Sequence, residues 1–330
     1  MNVGLTTQIL AANEAAVAAA ARYLAQGGLV AFPTETVYGL GADAGNPAAI
    51  ARLYQAKGRP AFNPLIAHVG DLDAARRIGR FDATATALAQ AFWPGPLTLV
   101  LPKTTDCGVA DLATAGLDTI AIRVPAHGVA RAILRAFGGA VVAPSANLSG
   151  HVSPTSSAHV QNDLMGRIDL IVDGGAVTVG VESTIVGCFE QPMLLRPGGL
   201  PREAIERVLG RALVQAPGDA DDDSSQPLAP GMLASHYAPR TRVRLNADRV
   251  EAGEALLAFG PSVVPGTDAA AAVMNLSPRS NVDEAAANLF GYLRALDLRG
   301  AHAIAVMPIP RHGLGEAIND RLGRAAMGRD

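Results

Sequence analysis

Short apolar runs alternate with amphipathic stretches along most of this chain, and Gly, Pro or a capping side chain marks each change of period. Residues 13–25 read as a helix: Asn13 can cap it, Ala is dense, and Gly27-Gly28 end it. Residues 29–32 form a short buried strand stopped by Pro33. Residues 47–57 predict a second helix closed by Gly58, residues 65–69 a strand, and residues 71–78 and 83–92 two further helices. Strands are expected at 97–101, 119–124, 140–143, 170–172, 183–187 and 193–195, with a helix at 129–137. A last helix, 201–209, carries Pro201 in its first turn. This alternation predicts a mixed α/β domain over residues 1–212.

The periodicity then stops. Residues 215–231 hold Pro, Gly, Ser and the acidic stretch 219–223, which cannot bury much apolar area, so residues 213–240 read as a linker. Beyond it, strands at 243–245, 255–259, 272–275 and 303–306 alternate with helices at 282–296 and 315–326. That order predicts a small second α/β domain, 241–330, with a largely parallel sheet.

Composition narrows the class. The chain has 330 residues, 49% of them hydrophobic and only 4% aromatic, so its core is built mainly of Ala, Val, Leu and Ile. A net charge of -3 argues against a generic nucleic-acid binder. The two cysteines, Cys107 and Cys188, lack metal-type spacing and read as reduced thiols of a cytoplasmic protein. No signal peptide or membrane-length apolar run is visible.

The candidate chemistry lies in two distant stretches. One is FPTETVYGLG at 32–41, followed by KGRPAFNP at 57–64; the other is APSANLSG at 143–150. Of 27 basic residues only Lys57 and Lys103 are lysines, so a lysine beside Arg59 implies a need for a compact ammonium next to a planar fork. Two cations on a proline-stiffened loop can meet a triphosphate with little reorganisation; the alternative is a solvated basic turn at a helix C-terminus. His68 in an apolar strand is either a satisfied core histidine or part of the same cleft. Thr34, Glu35, Thr36 and Tyr38 place hydroxyls and a carboxylate in a turn after a strand end, where α/β proteins bind ligands. Ser145, Asn147, Ser149 and Ser153 can hold phosphate oxygens through backbone and hydroxyl donors. Arg123, at the end of an apolar strand, is either paired in a cleft or at its rim. There is no Walker loop, GxSxG elbow, HExxH or paired CxxC.

PTETVYGLG, KGRPxxNPL, SANxSG, ESTIV and LLRPGG, in that order over residues 28–200, resemble the YrdC/YciO-like superfamily. The linker end APGMLASHYAP and the terminal GLGEAINDRL resemble the long, two-domain form of the threonylcarbamoyl-AMP synthases. The resemblance implies a YrdC-like twisted mixed sheet with helices, joined to a smaller Rossmann-like α/β domain. It implies that L-threonine, bicarbonate and ATP give L-threonylcarbamoyl-AMP and pyrophosphate, with Mg²⁺ on the triphosphate and no protein metal site. The product would pass to a tRNA threonylcarbamoyl transferase complex; no membrane and no stable nucleic-acid contact are expected. By the same resemblance, Lys57 and Arg59 are the catalytic cations. Lys57, Arg59, Asn63, Thr119, Ser145, Asn147, Ser153, Arg196 and Tyr237 match nucleotide positions, and Thr36, His68, Arg123 and Ser183 match threonine positions. Residues 230–239, with Met232, His236 and Tyr237, are expected to fold over the site as a lid; the alternative is that they dock the second domain. Two rivals are a double-stranded RNA-binding module and a related carbamoyl-adenylate enzyme, whose zinc fingers two cysteines cannot supply.

Overall fold

A computed structural model of the chain describes residues 5–215 and 237–328. In chain order its first elements are β1 (Gln8–Ala11), α1 (Glu14–Ala25), β2 (Val30–Pro33), β3 (Tyr38–Asp43), α2 (Pro47–Lys57), β4 (Ile66–His68), α3 (Leu72–Ile78), α4 (Ala83–Phe92) and β5 (Leu97–Pro102). Next come α5 (Asp111–Thr114), β6 (Thr119–Arg123), α6 (Gly128–Phe137), β7 (Val141–Val142), α7 (Ser157–Leu164), β8 (Leu170–Asp173), β9 (Thr184–Gly187), β10 (Met193–Arg196), α8 (Arg202–Leu209) and β11 (Val214–Gln215). The remainder is β12 (Arg242–Arg244), β13 (Glu254–Ala258), β14 (Val273–Asn275), α9 (Val282–Asp297), β15 (Ala303–Val306) and α10 (Gly315–Ala326).

Capping chemistry sets the helix starts. The side chains of Asn13, Asn46, Asp71 and Asp82 each accept a backbone N–H of the first turn of α1, α2, α3 and α4. Pro201 caps α8 from outside rather than standing in its first turn. Gly58, at φ 60, closes α2 in the left-handed region and turns the chain toward Arg59.

Eleven strands form one mixed sheet among the described residues, in the order β1-β8-β2-β3-β7-β4-β6-β5-β9-β10-β11. Apolar faces of α1 and α6 cover β2 and β8 through Ala16, Ile133, Leu134, Phe32 and Leu170. On the second sheet, β12-β15-β13-β14, every pair is parallel, as the alternation predicted. Its core does not end at its own edge. Leu289, Phe290 and Ile318 share one buried cluster with Val37, Val152 and Val181 of the first sheet's loops, so the two units are joined by apolar contact.

The turn expected after Pro33 is shorter than its sequence indicated. Tyr38 begins β3, which pairs antiparallel with β2, and only residues 34–37 form the hairpin turn. Tyr38 is fully buried in the core, and its hydroxyl donates to the Gly175 carbonyl at 2.7 Å, away from any cleft.

Candidate active site

The middle of the large sheet brings the distant motifs together. β4 and β6 run parallel with His68 opposite Arg123, while Ala143, just past β7, donates its N–H to the Ile66 carbonyl. Arg59, His68, Arg123, Ser145, Ser183, Arg196 and Tyr237 line one cleft, with Glu182 on its wall. Arg59 lines the cleft from the loop after α2, with the Asn63 carbonyl 3.4 Å from its Nη2, and His68 lines it from the end of β4.

The Asn63 end is rich in donors and unsatisfied acceptors. Lys57 is in the last turn of α2 and 2% exposed, not on an exposed loop. Its Nζ donates to the carbonyls of Ser145 at 2.6 Å and Asn147 at 2.5 Å, so the ammonium braces the serine–asparagine turn from beneath and does not line the cleft. Burial, and then the Arg59 charge, push its pKa well below the usual lysine range. Arg59 lines the cleft directly; one Nη2–H reaches the Pro64 carbonyl at 3.0 Å, and burial brings its pKa down to about 10. Arg59 Nε, Asn63 Oδ1 and Asn147 Oδ1 are buried with no hydrogen-bond partner among the described residues. Unmet buried polar atoms cost about 1–3 kcal/mol each, and three at one end of a cleft mark a place where a polar ligand completes the bonding. Extending the β4–β6 register sets Thr119 beside Pro64 at this same end, half-buried and outside the cleft lining.

Ser153 lies deeper. It is fully buried, and its hydroxyl donates to Glu182 Oε1, so it supports the wall rather than facing the cleft.

The His68 end is smaller and more tightly paired. Burial, and then the Arg123 charge, drive the His68 pKa down to about 3, so the ring is neutral. Its Nδ1 lies 3.1 Å from the Ile66 carbonyl. A carbonyl only accepts, so Nδ1 carries the proton and Nε2 is left as an acceptor. Arg123 donates from Nη2 to Glu35 Oε1 at 2.7 Å and from Nε to the Gly95 carbonyl, leaving Nη1 without a protein partner among the described residues. Glu35 also accepts from the Ala126 N–H; burial would raise its pKa, but Arg123 outweighs it and holds the carboxyl below its usual range. Ser183 Oγ pairs with Thr98 Oγ1 at 2.7 Å and accepts from Arg196. Thr36 is fully buried behind this end, its hydroxyl on Thr34 Oγ1 at 2.8 Å.

Tyr237, near the end of the stretch read as a linker, lines the cleft. Met232, His236 and the body of the expected lid lie outside the described residues. Glu182 and Arg321 were missed as site-associated residues. Glu182 stands in a run of otherwise apolar or hydroxyl side chains. Arg321 falls on the stripe Leu314, Ile318, Leu322, Ala325, a core-facing position where a charge needs a buried partner. No group of three or more His, Cys, Asp or Glu side chains suited to a metal occurs among the described residues, and no described helix is long and apolar enough to cross a membrane.

Residues 22–198 match the family described as "Telomere recombination", and residues 200–327 match "Threonylcarbamoyl-AMP synthase, C-terminal domain". The chain is 41% identical to the threonylcarbamoyl-AMP synthase of Bacillus subtilis, covering 98% of this chain and 96% of the relative. It is 42% identical to that of Pyrococcus abyssi, covering 93% of each. A crystal structure of P. abyssi Sua5 complexed with L-threonine superposes with a TM-score of 0.87 at 38% identity, covering 97% of both chains.

Proposed function

Because the chain belongs to the threonylcarbamoyl-AMP synthase family, we propose that the cleft holds ATP at its Asn63 end and threonine at its His68 end. The reaction is that of the family: L-threonine, bicarbonate and ATP, a substrate, give L-threonylcarbamoyl-AMP and pyrophosphate, the first step of threonylcarbamoyladenosine modification of tRNA. A double-stranded RNA-binding role is not favoured.

The observation that carries the site assignment is the convergence of Arg59, Ser145, Arg196, Arg123, Ser183 and His68 on one cleft, with the unmet polar atoms of Arg59, Asn63 and Asn147 at one end. Threonine's carboxylate meets Nη1 of Arg123, which Glu35 holds in place. The hydroxyl of threonine donates to His68 Nε2. The amine adds to the carbon of bicarbonate with loss of water, and the carbamate oxygen attacks the α-phosphorus as pyrophosphate leaves. No covalent protein nucleophile is needed: the chain aligns three reactants and compensates phosphate charge with Arg59 and Arg196. Lys57 acts by fixing the Ser145–Asn147 turn. Thr119, Ser153 and Thr36 shape the two ends from behind. Mg²⁺ enters with the triphosphate, held by phosphate oxygens and water.

Residues 1–212 carry the chemistry, 213–240 the connection and lid, and 241–330 the supporting domain; the separate sheets support two units, with β11 extending the first sheet to Gln215. The product passes to a tRNA threonylcarbamoyl transferase complex. Two free buried cysteines support a cytoplasmic setting.

Pyrophosphate release with threonine, serine and valine tests the assignment. Serine keeps the hydroxyl and is the best alternative. Valine leaves His68 unpaired and is rejected by at least about a hundredfold. Equal rates with valine and serine would refute a hydroxyl-reading pocket.

A further inference from the structure

Arg321 heads the fully buried side chains of the described residues by size, yet it is charged and comes from α10, far from the cleft in sequence. Such a group is tolerated inside only when its donors are met. Its Nε–H donates to Glu182 Oε2 at 2.7 Å, Nη2 to the Pro197 carbonyl at 3.0 Å, and Nη1 to Asp320. The guanidinium also lies 5.0 Å from the centroid of the Tyr237 ring, which stacks on Phe290 at 5.7 Å. Tyr237 has φ 64, a left-handed backbone that a bulky residue seldom adopts without such support.

Two of the partners of Arg321, Glu182 and Tyr237, line the cleft. A buried carboxylate is an adverse neighbour for a polyphosphate. Here Glu182 Oε1 accepts from Ser153 and Oε2 from Arg321, and neither donor lines the cleft.

We infer that Arg321 is a positioning residue for the reaction: from the second domain it neutralises Glu182 behind the cleft wall and holds Tyr237 at the cleft, so that the triphosphate meets no uncompensated negative charge. The inference rests on the ATP site proposed above. Its effect falls on ground state and transition state alike, so it reads out in the ATP KM more than in kcat.

Steady-state pyrophosphate release by the full chain tests it. Arg321→Met raises the ATP KM by about tenfold or more, with kcat and the threonine KM within about threefold of the parent. Adding Glu182→Gln to Arg321→Met brings the ATP KM back to within about threefold, a rescue that a purely structural defect does not give. Arg202→Ala breaks the Arg202–Glu316 ion pair, which joins the same two domains without lining the cleft, and leaves the ATP KM unchanged. If Arg321→Met does not fold, Glu182→Gln alone decides: it removes a negative charge from the cleft wall while Arg321 stays paired with Asp320, and lowers the ATP KM; an unchanged or raised value overturns the inference. A normal ATP KM in folded Arg321→Met, no rescue, or an equal rise in Arg202→Ala also overturns it. A parent protein that releases no pyrophosphate with threonine, bicarbonate and ATP refutes the reaction itself instead.

Discussion

Lys57 and Arg59 are two residues apart and face different surroundings. Arg59 lines the cleft, so on the proposed ATP site Arg59→Ala costs roughly 2–4 kcal/mol of transition-state stabilisation, with a smaller fall in melting temperature than Lys57→Ala because its one close carbonyl contact is to Pro64. Lys57→Ala lowers activity comparably but also leaves two carbonyls unmet, a further loss of about 1–3 kcal/mol in folding stability. Thermal unfolding beside kcat/KM separates the two cases; equal melting temperatures would contradict the bracing role. His68 adds a pH signature. Its pKa is about 3 in the fold against an ordinary value of 6.5, so below 6.5 the unfolded chain takes up a proton that the folded chain refuses. The stability is fully present above 6.5 and is lost as pH falls toward 3, at up to about 1.4 kcal/mol per pH unit. Glu35 and Glu182, both held low, lose stability in the same direction once the pH falls below their unfolded values. In denaturant titrations at pH 7, 6 and 5, His68→Gln removes one proton's worth of this slope; an unaltered slope would refute a neutral buried His68.

At the scale of elements, two glycines separate conformational need from spatial need. Gly58 sits at φ 60 with nothing within 4 Å of an added Cβ, so Gly58→Ala costs about 1–2 kcal/mol through its backbone alone. Gly198 packs so closely on the strand entering β9 that a Cβ would lie 2.4 Å from the Glu182 carbonyl oxygen. Gly198→Ala must displace the backbone that carries Glu182 and Ser183, and is expected to cost more than about 3 kcal/mol together with activity. Melting curves of the two variants give the order, and a milder Gly198→Ala would show that this wall is pliable. Helices with an Asn or Asp cap and a glycine stop were legible to within a residue or two, as α2 shows. β3 was not, because Tyr-Gly-Leu-Gly has turn composition; its glycines instead allow close sheet packing, Gly41 lying where a Cβ would be 2.7 Å from Phe32. β1, α5, α7 and β11 were also missed, being short and weakly patterned.

For the molecule as a whole, the second domain is part of the site's support. The cluster around Phe290 and Ile318 covers Val37, Val152 and Val181, while Arg294 pairs with Asp163 at 2.8 Å and Arg321 with Glu182. A chain ending at Leu213 exposes these apolar side chains and leaves Glu182 without its cation. It is expected to fold with reduced stability and to make far less threonylcarbamoyl-AMP than the full chain, as read by pyrophosphate release. Full activity from that fragment would show that the second domain is dispensable.

The order of motifs and the helix caps followed from the sequence itself, because each depends on residues close in the chain; the parallel second sheet followed from the order of its strands and helices, although its pairing joins residues as distant as Arg242 and Ala303. The candidate residues could be named there, but not their surroundings. Which cation faces the cleft and which braces it, the pairing of Arg123 with Glu35, the neutral His68, and the reach of Arg321 to Glu182 were decided only by tertiary structure. Each joins groups dozens of residues apart or depends on burial, and burial is a property of the packed whole that no local pattern carries.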